Sequence, residues 1–164
     1  MTEELRFGFG KNWSNFLKTL DESRIEEAVE SLKKYLKVDS LVGKTFLDVG
    51  SGSGLFSLAA HRLGAQVKSF DYDEDSVACT RYLRDKYAQG SSWEVEQGSI
   101  LDAEYLKKYG QVDVVDSWGV LHHTGNMYEA FENVQTLVKD GGTLFVSIYN
   151  DQGGASKRWT WIKK

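Results

Sequence analysis

The segment K-T-F-L-D-V-G-S-G-S-G, residues 44–54, constrains the fold of this chain more than any other stretch. Its first part, Thr45–Val49, is a short apolar run that predicts a buried strand, with Asp48 near its end. Glycines at positions 50, 52 and 54 follow, and apolar residues then recur at helical spacing from Leu55 to Leu63. A strand, a glycine turn and a helix together allow backbone N–H groups to approach a bound nucleotide, because glycine has no Cβ to block the approach.

The spacing of the glycines separates two classes of nucleotide site. A dinucleotide fingerprint G-x-G-x-x-G that starts at Gly50 needs a small residue at position 55, where Leu55 stands. The pattern present is D-x-G-x-G-x-G, with Asp48 two residues before the first glycine. A dinucleotide oxidoreductase is therefore the weaker interpretation. A tight turn with no bound ligand stays open as an alternative from this segment alone.

The rest of the chain alternates predicted strands with predicted helices. The further strands are expected at 67–70, 92–96, 112–117 and 143–149, and the helices at 21–37, 74–88, 101–109 and 126–138, with a turn at 140–142. A chain of 164 residues with 41% apolar residues is long enough for one domain with one core. This alternation predicts the α/β class, a doubly wound parallel sheet with helices on both faces.

Polar and acidic residues follow the predicted strands at their carboxyl ends, where open α/β sheets bind ligands. Asp48 ends the first strand, and Asp71 ends the second at a distance from Gly54 that fits a ribose-binding carboxylate. Ser99 and Ile100 follow the third strand, and Ser117 and Trp118 follow the fourth. Agreement between independent strand ends predicts one ligand site at this edge of the sheet.

Three motifs resemble the class I S-adenosylmethionine-dependent methyltransferases, most of all the ubiquinone/menaquinone-biosynthesis-like branch. They are D-x-G-x-G-x-G at residues 48–54, V-D-V-V-D-S-W-G-V-L-H-H-T at 112–124 and V-K-D-G-G-T-L-F-V-S at 138–147. The resemblance covers residues 44–149. It implies a Rossmann-like sheet with strand order 3-2-1-4-5 and S-adenosylmethionine as the cofactor, with S-adenosylhomocysteine as the product.

The resemblance also implies a role for each candidate residue. In the family pattern the carboxylate near the end of the first strand and the glycine turn hold the methionine portion, the second acid holds the ribose hydroxyls, and later strand ends flank adenine and the methyl group. Carried over, these are Asp48, Gly50, Ser51 and Gly52 for methionine, Asp71 for ribose, Tyr72, Ser99 and Ile100 for adenine, and Ser117 and Trp118 near the methyl donor. Many relatives have an acid where Ser99 stands.

The expected activity is methyl transfer to a small-molecule acceptor by in-line displacement at the sulfonium methyl. His122, just past the fourth strand, is the candidate base for a weakly nucleophilic acceptor, and the alternative is that it only packs the loop. Phe7, Phe9, Trp13 and Phe16 are candidates for a lid over the cofactor or for packing on the sheet edge. A rival function is a module that binds S-adenosylmethionine or its product without transferring a methyl group.

The predicted organisation is an N-terminal cap segment at 1–40 and the cofactor-binding domain at 41–164. The family's C-terminal antiparallel hairpin is missing before Lys164. Strand 143–149 would then be a sheet edge, and exposed apolar edges need a cover. A truncated chain, a naturally short one and an edge covered by the tail or a second copy all fit. We expect a shortened domain that self-associates as a homodimer.

Composition excludes several partners. The net charge is -4, which argues against sequence-independent binding to nucleic acid. No run of 18 apolar residues is present, so no membrane span is expected, and the first residues do not form a secretory signal. The single cysteine, Cys79, with three histidines makes a zinc site improbable and fits a cytoplasmic location.

Overall fold

A five-stranded parallel sheet forms the centre of the computed structural model, which describes residues 15–149. The strands are β1 (Thr45–Val49), β2 (Gln66–Asp71), β3 (Glu94–Gln97), β4 (Val112–Trp118) and β5 (Val138–Ser147). They pair in the order β3-β2-β1-β4-β5, and every pair is parallel. The predicted fold class and strand order are therefore confirmed.

Five helices whose full extent lies within residues 15–149 connect and cover the strands. They are α1 (Glu22–Leu36), α2 (Leu55–Arg62), α3 (Glu74–Tyr87), α4 (Ala103–Leu106) and α5 (Met127–Thr136), with 3-10 turns at Lys107–Tyr109 and Leu121–His123. Asp21 caps α1 by accepting a hydrogen bond from the Arg24 N–H, and Asp73 caps α3 in the same way through the Ser76 N–H. Such caps satisfy N–H groups that have no partner inside the helix.

The sheet carries an apolar cluster on each face because successive side chains of a strand point to opposite sides. Phe46 of β1 packs in the cluster that contains the buried residues of α1, α2 and α3. Its neighbour Leu47 packs in the cluster that contains Ala130 and Val134 of α5. Both faces are therefore covered by helices, as predicted.

Several element boundaries differ from the sequence-based ones. The strand expected at 92–96 is Glu94–Gln97, and the helix expected at 101–109 divides into α4 and a 3-10 turn. The largest difference is at β5, which begins at Val138 rather than at 143 and ends at Ser147 rather than at 149. Val112 pairs with Val138 and Val114 with Thr143, so the predicted turn at 140–142 is a bulge inside the strand. Pairing continues on both sides of that bulge.

The described residues leave part of the predicted organisation untested. The division into 1–40 and 41–164 stays a prediction, as do Phe7, Phe9 and Trp13 as lid residues, because these three lie outside residues 15–149. Within the described part, β5 lies at the edge of the sheet. None of the helices there has both the length and the apolar character needed to cross a bilayer.

Candidate cofactor site

A cavity of about 450 Å³ lies at the carboxyl ends of the central strands, at the point where the strand order reverses between β1 and β4. All of the residues predicted for the cofactor except Ser117 lie on its wall: Asp48, Gly50, Ser51, Gly52, Asp71, Tyr72, Ser99, Ile100 and Trp118. Phe16, the one lid candidate within the described residues, lies there too. The sheet topology thus brings together side chains from four strand ends.

The glycine turn after β1 is hydrogen-bonded to the end of β2. The N–H groups of Gly50 and Ser51 donate to the Phe70 carbonyl at 2.9 and 3.1 Å, and the Gly52 N–H donates to Asp71 Oδ2 at 2.9 Å. Gly50 has φ +83°, a left-handed conformation that glycine adopts without a steric penalty. These hydrogen bonds therefore hold the turn and the Asp71 carboxylate in fixed relative positions.

Helix α3 holds the same turn from the other side. The Ser51 and Thr80 hydroxyls are hydrogen-bonded at 2.9 Å, and the Thr80 hydroxyl also donates to the Gly52 carbonyl at 3.2 Å. A Cβ on Gly54 would lie 3.0 Å from the Thr80 backbone, and its φ of +83° is again left-handed. Gly54 is thus required by the close approach of α3 as well as by the turn.

Asp71 is oriented by two backbone donors. Oδ1 accepts from the Asp73 N–H at 2.9 Å, and Oδ2 accepts from the Gly52 N–H. Burial raises the pKa of this carboxyl, and the two N–H donors oppose that rise. Each carboxylate oxygen can accept more than one hydrogen bond, so both can still receive a ligand hydroxyl. The two oxygens of Asp71 can therefore accept hydrogen bonds from the two hydroxyls of a vicinal diol.

The other predicted residues differ in how they reach the cavity. Ile100 is buried on the cavity wall, whereas the Tyr72 side chain is half-exposed at its rim. The Trp118 ring contacts Phe56 at a centroid distance of 5.8 Å. Ser117 is fully buried, and its hydroxyl donates to the Val49 carbonyl at 3.1 Å instead of lining the cavity. Its role near the methyl donor stays a prediction.

Two buried carboxyl groups lie side by side at the base of the cavity. Asp48 of β1 and Asp116 of β4 occupy paired register positions, and their exposures are 3% and 1%. Burial raises the pKa of Asp48 to about 7, opposed by the Ser57 hydroxyl and increased by nearby Asp71. Burial and then the Asp48 charge raise the pKa of Asp116 well above its ordinary range. Sequence reasoning singled out Asp48 but missed Asp116.

His122 lies behind the cavity wall. Both of its ring nitrogens are buried and have no hydrogen-bond partner among residues 15–149. The ring contacts His123 and Tyr149 at centroid distances of 4.0 and 4.7 Å, and those two residues do line the cavity. Burial, and secondarily His123, lowers the pKa of His122, which favours the neutral imidazole that a base requires.

The residues present fit S-adenosylmethionine. Asp71 offers oriented acceptors for a diol, the walls at Ile100 and Phe70 are apolar, and the buried Asp116 Oδ1 has no hydrogen-bond partner in the described part of the chain. Across residues 15–149 no group of three or more His, Cys, Asp or Glu side chains is arranged to hold a metal ion. The fold and the site together define a nucleotide-cofactor domain of the S-adenosylmethionine-dependent methyltransferase class.

Comparison with known proteins gives the family. A family profile described as "Methyltransferase domain" matches residues 20–163, so the chain belongs to the methyltransferase domain family. A ubiquinone biosynthesis O-methyltransferase of Paraburkholderia xenovorans is 33% identical over 111 residues, which is 67% of this chain and 46% of that protein. The chain spans about half the length of the curated relatives it matches.

Solved structures share the fold. A candidate S-adenosyl-L-methionine-dependent methyltransferase from Methanococcus maripaludis has a TM-score of 0.69 at 16% identity, covering 99% of this chain and 75% of that one. Magnesium protoporphyrin IX methyltransferase from Synechocystis PCC 6803, solved with bound S-adenosylhomocysteine, has a TM-score of 0.64 at 21% identity, covering 84% and 61%. These structures show the shared fold, and the family profile confirms the predicted methyltransferase family and with it the cofactor, S-adenosylmethionine.

Proposed function

We propose that this chain transfers a methyl group from S-adenosylmethionine to a small-molecule acceptor. The observation that carries the proposal is that hydrogen bonds hold the glycine turn against Asp71 and the end of β2. Both line a cavity that also contains two buried carboxyl groups. The bound cofactor would supply an activated methyl group on a sulfonium. The protein's own residues then have to bind and orient the reactants and keep water out.

Each predicted cofactor residue has a proposed part in that binding. Asp71 accepts hydrogen bonds from the ribose hydroxyls, and Asp48 with the Gly50–Gly52 backbone takes the methionine portion. Tyr72, Ser99 and Ile100 enclose adenine. Trp118 covers the part of the cavity that would hold the methyl group. Its ring contacts Phe56 and Phe145 at centroid distances of 5.8 and 5.3 Å, and these contacts stabilise its position. Ser117 is proposed to set the backbone of this floor through its hydrogen bond to Val49.

His122 is the proposed general base. Its ring contacts His123 and Tyr149, both of which line the cavity, so His122 lies directly behind the cavity wall. His122→Gln and His123→Gln form a matched pair of variants for this test. We expect His122→Gln to remove from the kcat profile an ionisation whose pKa lies below the ordinary histidine range, while His123→Gln keeps it. An unchanged profile for His122→Gln would assign this residue to packing alone.

The curated relatives support an oxygen acceptor, because they are named for O-methylation in ubiquinone biosynthesis. The test is transfer of labelled methyl from S-adenosylmethionine to compounds of a metabolite extract, followed by identification of the labelled product. A labelled ether or ester would support the proposal. No labelled product from any extract, together with measurable cofactor binding, would favour the second candidate below.

The second candidate is a module that binds S-adenosylmethionine or S-adenosylhomocysteine and transfers nothing. It requires only the cofactor cavity, which residues 15–149 contain. Calorimetry with S-adenosylhomocysteine and with NAD tests the cofactor assignment that both candidates share. Tighter binding of NAD would overturn both.

The remaining predictions concern partners and location. We propose that the β5 edge pairs with a second copy of the chain, which would cover its exposed backbone groups. We also propose a cytoplasmic location and no nucleic-acid partner, consistent with the net charge of -4. Light scattering after gel filtration measures the oligomeric state, and a monomer would refute the homodimer.

A further inference from the structure

Asp116 is a buried carboxyl group to which the proposed cofactor roles assign nothing. Its exposure is 1%, and its Oδ1 has no hydrogen-bond partner among the described residues although it lies on the cavity wall. An unpaired polar atom in a dry environment costs free energy unless a ligand or a proton satisfies it. The position of Asp116 therefore points to a ligand group that donates hydrogen bonds or carries positive charge.

Asp48 lies next to Asp116 on the same face of the sheet. The two residues are register partners on adjacent parallel strands, whose backbones are about 4.8 Å apart. Two carboxyl groups this close and this buried cannot both be ionised without a strong repulsion. One of them holds a proton in the absence of a cation.

A chain of hydrogen bonds decides which group keeps the negative charge. The Trp93 indole N–H donates to Ser69 Oγ at 2.8 Å, Ser69 and Ser57 hydroxyls are 2.6 Å apart, and the Ser57 hydroxyl donates to Asp48 Oδ2 at 2.5 Å. Because Ser57 uses its only proton on Asp48, Ser69 must donate to Ser57. Every donor in this serine relay points toward Asp48, so Asp48 is the stabilised anion and Asp116 is the member that carries the proton.

The surroundings of the pair contain little positive charge. Asp71 at the end of β2 adds a third carboxylate, and His123 is the only basic side chain on the cavity wall among the described residues, with no lysine or arginine there. Elements packed against the pair contribute neutral groups: Ser57 and Phe56 from α2 and Phe145 from β5. Tyr72 and Tyr149 are the other titratable groups that line the cavity within residues 15–149.

We propose that Asp116 holds the one proton of the Asp48–Asp116 pair in the free protein and releases it when a cationic ligand enters, so that the site prefers the charged methyl donor over its neutral product. This inference rests on the proposed function. S-adenosylmethionine carries one more positive charge than S-adenosylhomocysteine, because its sulfur is a sulfonium. The two ionised carboxylates attract the positive charge of the methyl donor. With the neutral product bound they repel each other, and this repulsion ends only when Asp116 is protonated again.

The experiment is isothermal titration calorimetry on the full chain at pH 7 in two buffers with different ionisation enthalpies. The difference in apparent enthalpy gives the number of protons released for each ligand. We expect release of about one proton with S-adenosylmethionine and close to none with S-adenosylhomocysteine. Equal proton release with the two ligands would overturn the inference and leave the proposed function standing. Failure of both ligands to bind would overturn the proposed function and this inference with it.

Asp116→Asn removes the charge at constant shape. We expect it to abolish the proton release and to raise the ratio of the dissociation constants, S-adenosylmethionine over S-adenosylhomocysteine, by about tenfold. Asp140→Asn makes the same charge change at an exposed position on the bulge of β5 and should leave the ratio unchanged. Retained S-adenosylhomocysteine binding shows that Asp116→Asn is folded. An unchanged ratio in that folded variant would refute the role of Asp116, and the wild-type proton count tests the pair without any variant.

Discussion

Removing the Asp71 carboxylate should weaken cofactor binding by an amount that the structure allows us to work out. Asp71 is fixed by two backbone N–H donors, so it offers a ribose diol two preorganised, charge-assisted acceptors. A hydrogen bond to a charged group contributes about 1.5–3 kcal/mol. We take that range as the net loss for Asp71→Ala because water can enter the space left by the carboxylate. The dissociation constant for S-adenosylhomocysteine should therefore rise about 10-fold to 150-fold.

A double-mutant cycle makes this test specific for the ribose contact. Calorimetry is run on wild type and Asp71→Ala, each with S-adenosylhomocysteine and with its 2′-deoxy analogue. If Asp71 binds the diol, loss of the 2′-hydroxyl weakens binding to wild type and has little effect on the variant. Asp75→Asn is the matched control, because Asp75 is exposed in the first turn of α3 and does not line the cavity.

The result that refutes the reasoning is a variant with nearly unchanged affinity. An Asp71→Ala protein that binds within about twofold of wild type would have lost less than about 0.5 kcal/mol, which is below the range for a charged hydrogen bond. An equal effect of the 2′-deoxy analogue on both proteins would also place the diol elsewhere. Either result would remove the main support for the proposed cofactor orientation.

Three further predictions concern stability, and each is measured by urea unfolding followed by circular dichroism. Gly54→Ala should destabilise the fold by about 1–3 kcal/mol, because φ is +83° and Thr80 leaves no room for a Cβ. Leu32→Ala should cost about 2–5 kcal/mol, because Leu32 is fully buried under the sheet. Burial in the folded state raises the pKa of Asp116, so above about pH 4, the ordinary range of an aspartate, the folded protein keeps a proton that the unfolded chain has lost, and stability falls as pH rises. Asp116→Asn should therefore stabilise the protein more at pH 8 than at pH 5, and an equal effect at both would contradict a raised pKa.

The alternation of strands and helices and the position of the site at the strand ends were predictable from local patterns, whereas the strand order followed from the family resemblance. The apolar run Thr45–Val49 and the three glycines after it predicted the first strand, its turn and the following helix. Asp71 was predicted as a ribose-binding residue from its place at a strand end. Such features depend on residues close together in the chain, and the carboxyl ends of parallel strands meet whatever the details of packing. The boundaries of β5 were less predictable, because pairing with β4 extends the strand through the bulge at 140–142.

Asp116 and the serine relay could not be found in the same way. Asp116 stands between Val115 and Ser117 and looks like an ordinary polar position in a strand. Its importance depends on the register that places it beside Asp48, and register between β1 and β4 joins residues far apart in sequence. The available signal was that Asp116 shares its strand face with Val114, which predicts a buried carboxyl group on an otherwise apolar face. Ser57 and Ser69 gave no comparable signal.

The serine relay gives the molecule a built-in spectroscopic reporter. The indole proton of Trp93 lies at the far end of the hydrogen-bond chain from the cavity, and Trp93 itself is almost completely buried. When a cation binds next to Asp48, it changes the polarisation of every hydroxyl group in that hydrogen-bond chain. The NMR chemical shift of the Trp93 indole proton should therefore change as well. An NMR titration of a single buried proton would then report the electrostatic state of the cavity without any attached label.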